Sequence, residues 1–250
     1  MTDSAASTVR VVAQTVDVAN RSVLSTDEQS LGQGESLLIG REGDLAVGTT
    51  APDTGVSRRA LVVCPGTDGW HVESMNSNGA ILHPWAQAER WLTPGEPEDL
   101  RWPRIGIRLV GSRPGLHHWV LLESDAYTID PVRAGTSTNT ETPRPPLPLT
   151  DAQLAALTTV FAQHLAWPPV AGPLLLTLQA AARRLGISEA AVYQRLEAVQ
   201  ARAYQLGLHR QHGVTDPDYL YLLVRHGYLP APTTTVAELE RPSMDPAPLQ

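Results

Sequence analysis

The sequence predicts a multidomain β + α protein: an antiparallel β-sandwich, a flexible linker and a small all-α domain. Three observations predict it. Short apolar runs separated by turn residues fill the first half, a stretch rich in Pro, Thr and Ser interrupts them, and beyond it apolar residues recur at helical spacing. The expected boundaries are 1–125 for the sandwich, 126–148 for the linker, 149–229 for the helical domain and 230–250 for a disordered tail.

The first residues are small and polar, as at a frayed end. Strands are expected at 8–13, 36–40, 60–64, 69–73, 80–82, 105–110 and 119–123, each bounded by Gly, Pro, Asp or Asn. Short strands at this spacing suit a sandwich. From Ala126 the composition shifts to Thr, Ser, Pro, Asn and Gly, ending in Pro143-Arg144-Pro145-Pro146-Leu147-Pro148, which is too polar to order itself and is kept extended by its prolines. Thr150 with Gln153 forms a capping box, and Leu154, Leu157, Val160, Phe161 and Leu165 make one helical stripe before Pro168-Pro169. A second helix is expected over 174–185, ending at Gly186. Ser188 caps a third, with the stripe Val192, Leu196, Val199, Ala203 and Leu206. A fourth runs from Asp216-Pro217 to Gly227. No internal repeat is present.

Composition excludes several functions. All 19 basic residues are Arg, so lysine chemistry is absent, while Arg suits phosphate because its planar fork donates two parallel hydrogen bonds. A net charge of −7 argues against a general polyanion binder, so any anion site must be local. The single cysteine, Cys64, excludes an internal disulfide and a Cys-based zinc site. No apolar run approaches the roughly 18 residues of a membrane span, and no signal-peptide layout opens the chain. A soluble cytoplasmic protein is expected. No paired-carboxylate, nucleophile-elbow or Gly-rich phosphate motif appears, so neither an enzyme nor a cofactor is expected.

Three short motifs stand on turns between predicted strands: Gly40-Arg41, then Val56-Ser57-Arg58-Arg59-Ala60, then Asn76-Ser77-Asn78-Gly79. Loops at one end of a sandwich lie close in space, so these would gather guanidinium, hydroxyl and amide donors. Those are the groups that a phosphate oxyanion takes.

The order Gly-Arg, Ser-x-x-His, Ser-x-Asn-Gly resembles the signature of forkhead-associated (FHA) domains, and the likeness covers roughly residues 8–124. Trp70-His71-Val72-Glu73 is similar to the strand that precedes the last motif in that family. The resemblance implies phosphothreonine-peptide binding. By motif, Arg41 and Ser57 would hold the phosphate, Arg58 would assist, Ser77 would add a hydroxyl, and Asn78 would grip the peptide backbone. Gly40 and Gly79 would serve loop geometry. Two positions depart from the pattern: the family's His is Ala60 and the first Ser of its third motif is Asn76. That pair braces the loops in the family, so its loss implies either a compensated brace or a loosened site.

In the helical half, Ala182-Arg183-Arg184-Leu185-Gly186-Ile187-Ser188, followed by Val192 and Leu196, resembles the helix-turn-helix of bacterial regulators. Residues that would face DNA are Arg183, Arg184, Tyr193, Gln194 and Arg195, with Glu189 and Ala190 beside them. Over 147–229 six Arg stand against five acidic residues, a weak basic surface that suits a helical interaction module as well as DNA.

His117 and His118 sit in one strand and face opposite sides, so they cannot share a metal. His209, His212, Asp216 and Asp218 read as a polar loop, and no metal site is expected. Thr136, Thr138, Thr140, Thr142 and Thr233–Thr235 are accessible kinase targets, and a phosphorylated linker could fold back onto the FHA-like loops. The expected function is a phosphothreonine-binding adaptor or regulator acting downstream of a Ser/Thr protein kinase. The alternatives are a DNA-binding transcriptional regulator, or a degenerate scaffold with phosphate-independent contacts.

Overall fold

The computed structural model describes residues 9–129, 147–208 and 213–233. The linker threonines at 136–142, the histidines at 209 and 212, and Thr234 and Thr235 lie outside the described residues.

Eleven strands are described: β1 (Val9–Asp17), β2 (Ser22–Leu31), β3 (Leu37–Gly40), β4 (Leu45–Ala46), β5 (Leu61–Pro65), β6 (Trp70–Ser74), β7 (Ala80–Pro84), β8 (Arg90–Leu92), β9 (Pro97–Leu100), β10 (Arg104–Leu109) and β11 (Leu116–Glu123). They form two sheets, ordered β2-β1-β11-β10-β7-β8 and β4-β3-β5-β6-β9. All strand pairs are antiparallel except β3–β4. The expected sandwich is present.

Alternation builds its core. In β5 and β6, Leu61, Val63, Trp70 and Val72 point inward and are buried, with Cys64 and His71 between them on the other face. Val11, Ala13, Ile105, Ile107, Val120 and Leu122 meet them from the first sheet. β1 and β11 read as near-continuous apolar runs because both of their faces are covered. The outer side chains Val12, Trp119 and Leu121 form a second cluster against Trp167 and Ala171.

Four helices follow: α1 (Asp151–Val160), α2 (Leu178–Leu185), α3 (Glu189–Gln205) and α4 (Asp218–Arg225). The capping box is formed: Thr150 Oγ1 accepts from Gln153 N at 3.3 Å and Thr150 N donates to Gln153 Oε1 at 3.0 Å. α1 stops at Val160, short of Leu165, and α2 starts at Leu178, where Thr177 caps it, rather than at residue 174. Leu157, Val160, Phe161, Val192, Leu196, Val199, Tyr219, Leu220 and Leu223 are buried together.

Two sets of contacts add detail to this organisation. Tyr127, assigned to the linker, belongs to the sandwich: it packs edge-on against Trp70 at 5.4 Å, and its hydroxyl donates to Gly66 O at 2.8 Å. The helices also bond to residues of the sandwich region. Trp85 and Ala86, just after β7, lie in the helical core, and Trp85 Nε1 donates to Leu165 O at 2.9 Å. Trp167 Nε1 donates to Glu123 Oε1 at 2.7 Å, and Arg225 Nε donates to Gln87 Oε1 at 2.9 Å. Trp85 and Ala86, just past the end of β7, give the helices an apolar seat, a contact that helical periodicity alone does not signal. Among the described residues, no helix is long and apolar enough to cross a membrane.

Candidate functional site

β3 ends at Gly40, where a Cβ would lie 2.3 Å from Arg58 O, so only glycine allows the β3 end and the chain at 58–60 to approach this closely. Arg41 follows. Its backbone N donates to Ser57 O at 3.2 Å and its Nε donates to Val56 O at 2.7 Å. The second bond fixes the plane of the guanidinium. Among the described residues no carboxylate is ion-paired with Arg41, so its charge is not offset by a direct partner.

The next loop brings Ser57 to the same place. Ser57 Oγ accepts from Ser77 N at 3.1 Å and stands 3.3 Å from Ser77 Oγ. Asn78, exposed beside it, donates from Nδ2 to Gly55 O at 3.0 Å. Arg58 and Arg59 are exposed on the same loop, and Arg58 Nε lies 3.4 Å from Glu42 Oε1. The structure therefore joins Arg41, Ser57, Ser77 and Asn78 in one bonded rim, with Arg58 at its border. Gly79 closes the last loop with φ +80°, the left-handed region that favours glycine.

The two departures in the motifs have a physical resolution. Asn76 is fully buried and braces the loops itself: its Oδ1 accepts from Ser57 N at 2.9 Å, and its Nδ2 donates to Gly79 O at 2.7 Å and Val110 O at 3.0 Å. Ala60 is fully buried in the sandwich core, with its N bonded to Ile39 O at 2.8 Å. The brace is compensated by the longer amide.

Sequence reasoning missed a second support. Asp53 is fully buried under the same loop and accepts from Gly55 N at 2.9 Å, Ser112 N at 2.8 Å, Ser112 Oγ at 2.6 Å and Arg113 N at 3.1 Å. Its Oδ2 also lies 3.1 Å from His118 Nε2, and His118 Nδ1 lies 3.1 Å from Thr15 Oγ1. Asp53-Thr54-Gly55 carried the signal of an Asx turn, but the remaining partners come from a loop some 60 residues away. His118 thus points inward to Asp53, while His117, on the opposite face of the strand, packs against Trp119 at 6.4 Å between ring centres. Burial first, then the neighbouring charges of Arg108 and His118, depress the His117 pKa.

The residues singled out for DNA lie on the helices. Arg183 and Arg184 are exposed at the end of α2, Tyr193 and Gln194 are exposed near the start of α3, and Arg195 is half-buried. Gly186 turns the chain with φ 66°, and Ser188 Oγ accepts from Ala191 N at 3.2 Å. None of them bonds to a rim residue. Among the described residues, no group of His, Cys, Asp and Glu side chains is arranged to hold a metal.

Comparison with known proteins returns no matching family model and no matching curated protein. Solved structures do match. One is a phosphothreonine-dependent FHA domain, 25% identical, with 46% of this chain and 95% of that chain covered and a TM-score of 0.29. Another is the FhaA FHA domain in complex with the intracellular domain of Rv3910, 24% identical, with 45% and 99% covered and a TM-score of 0.27. A third is a yeast splicing factor of the RES complex, 13% identical, with 46% and 79% covered and a TM-score of 0.33.

Proposed function

We propose that the rim formed by Arg41, Ser57, Arg58, Ser77 and Asn78 is an FHA-type site for a phosphothreonine peptide, and that the protein is a non-enzymatic adaptor or regulator acting downstream of a Ser/Thr protein kinase in the cytoplasm. One observation carries the reading: three loops distant in sequence bring two hydroxyls 3.3 Å apart beside an Arg whose plane is fixed by a backbone carbonyl. A phosphate ester carries about −1.5 to −2 charge near neutral pH and takes three such donors. The Arg41 fork supplies charge-assisted bonds, the serines supply hydroxyl donors, and Asn78 is placed to bond the backbone of the same peptide. In an otherwise acidic chain, unphosphorylated acidic peptides gain little at this rim, whereas the focused charge favours the dianion.

Calorimetric titration of the full chain with a phosphothreonine peptide library tests it. Arg41→Ala is expected to abolish binding while leaving the thermal unfolding midpoint in place, since the rim lies outside the core. Equal binding of phosphorylated and unphosphorylated peptides would return the rim to a phosphate-independent scaffold.

A second reading concerns α2 and α3. Their capped, Gly-turned geometry favours a helix-turn-helix, with Arg183, Arg184, Tyr193 and Gln194 outward and available to DNA. The near balance of Arg and acidic residues favours a protein contact instead. A gel shift of the full chain on mixed-sequence duplex at low salt separates the two.

A further inference from the structure

Trp91 is the most exposed tryptophan among the described residues, at 51%, and it stands next to the rim rather than at the helical junction. In the β7–β8 register it pairs with Ile81 on the outer face of the sheet, while Ala80, Leu82 and Leu92 point into the core. Its ring then leans over the end of the third loop. A Cβ at Gly79 would lie 1.9 Å from Trp91 Cζ2 and 2.5 Å from Cη2, so the indole occupies the space any larger residue at 79 would fill. Gly79 directly follows Asn78, the residue placed to hold a peptide backbone, and consecutive Cα atoms are 3.8 Å apart.

An exposed indole seated on a backbone glycine offers a flat apolar wall, rigid because its inner edge is packed and its β8 backbone is paired. Exposed scattered apolar residues need no explanation. This one is continuous with the polar rim, and a phosphate site fixes only one residue of any peptide it binds. The peptide must run past one side of the rim, and on the Asn78–Gly79 side the surface it meets is the ring of Trp91. Aromatic faces take apolar, aromatic and proline side chains by stacking, and take Arg by cation–π contact, whereas they give nothing to Asp or Glu.

We propose that Trp91 is a specificity-determining wall for one residue flanking the phosphothreonine, selecting an apolar or aromatic side chain over an acidic one. The inference rests on the phosphopeptide reading of the rim.

The test is a peptide array with a fixed phosphothreonine in which each flanking position is varied in turn, probed with the full chain. At one flanking position, Leu, Phe or Trp is expected to improve Kd about tenfold over Asp, equivalent to about 1.4 kcal/mol. Trp91→Ala is expected to remove that preference while binding still requires the phosphate, and Trp91→Phe is expected to retain most of it. Arg41→Ala is expected to lose every phosphopeptide alike. A flanking preference that persists unchanged in Trp91→Ala, or no apolar preference at any position of the wild-type profile, overturns the wall and leaves the rim standing. A wild-type chain that binds no phosphothreonine peptide on the array overturns both.

Discussion

Replacing Asp53 by Asn tests whether one buried carboxylate fixes the two loops beneath the rim. The side chain is fully buried and accepts from Gly55 N, Ser112 N, Ser112 Oγ and Arg113 N, with His118 Nε2 at 3.1 Å. Burial alone would raise the carboxyl's pKa. The hydrogen bonds from Ser112, Gly55 and Arg113 outweigh it and hold the group below the ordinary carboxylate range. Asn keeps the shape, but its amide nitrogen would face donors where an oxygen now accepts. Bonds to a charged acceptor contribute about 1.5–3 kcal/mol each, and breaking a buried charged network costs about 3–5 kcal/mol. At about 2–4 °C per kcal/mol for a chain of this size, Tm should fall by roughly 10 °C at pH 7. The pH dependence gives an independent check. Because the folded pKa lies below the unfolded value of about 3.9, the stabilisation is complete above that value and is lost as pH falls through the folded one. The gap between wild type and variant should therefore narrow in acid. Scanning calorimetry at a series of pH values reads both quantities. A Tm change within about 2 °C at neutral pH, less than 1 kcal/mol, or a gap that stays constant into acid, would refute the argument.

Three further perturbations follow from the same geometry. Asn76→Ala leaves Ser57 N, Gly79 O and Val110 O without their partner and should cost about 2–4 kcal/mol in urea unfolding, with Asn76→Ser recovering part of it. Gly79→Ala should destabilise through both its φ of +80° and the Trp91 clash, whereas in a Trp91→Ala background only the backbone strain of about 1–2 kcal/mol should remain; a double-mutant cycle measures the coupling. Burial chiefly, then the charges of Arg108 and His117, push the His83 pKa down to about 4. The unfolded chain, with its His near 6.5, then takes up the proton first, so stability present above pH 6.5 is lost between there and about pH 4 at up to 1.4 kcal/mol per pH unit. His83→Gln should flatten that limb of the stability–pH curve.

The sandwich was legible where strands carry core. Leu61, Val63, Trp70, Val72, Ile105 and Ile107 announce their strands because every second side chain is buried. β2 was not legible, since Ser-Val-Leu-Ser-Thr-Asp-Glu-Gln-Ser-Leu is an edge strand with most of its side chains exposed, and its order comes from the β1 backbone rather than from an apolar face. β8 and β9 are too short to show a period. Tyr127 was lost to a polar neighbourhood, although its partner Trp70 lies 57 residues earlier. In the rim, motif order alone singled out Arg41, Ser57, Ser77 and Asn78, because each loop keeps the polar residue type by which its motif is read. It could not reveal whether Asn76 repairs the missing brace, because that depends on the reach of one amide to three backbone groups in three loops.

The placement of the helices follows from the strand that leaves the rim. β7 begins just after Gly79 and ends at Pro84, one residue before Trp85 enters the helical core. It spans five residues, about 16 Å at strand rise, and is paired with β10 on one side and β8 on the other. Its pairing with β10 runs over all five residues and its pairing with β8 over Ala80–Leu82, which restrains its dihedrals, so the Asn78 loop and the Trp85 seat are held close to a fixed separation. Trp85 and Trp167 bond across the junction to Leu165 and Glu123, and the outer face of β11 is covered by the same chain segment. A peptide seated at the rim would therefore meet the helices at a set distance, in contrast to the freedom a long linker would give. On this argument the geometry of the pair, rather than the length of the linker, decides which partners can touch both halves at once.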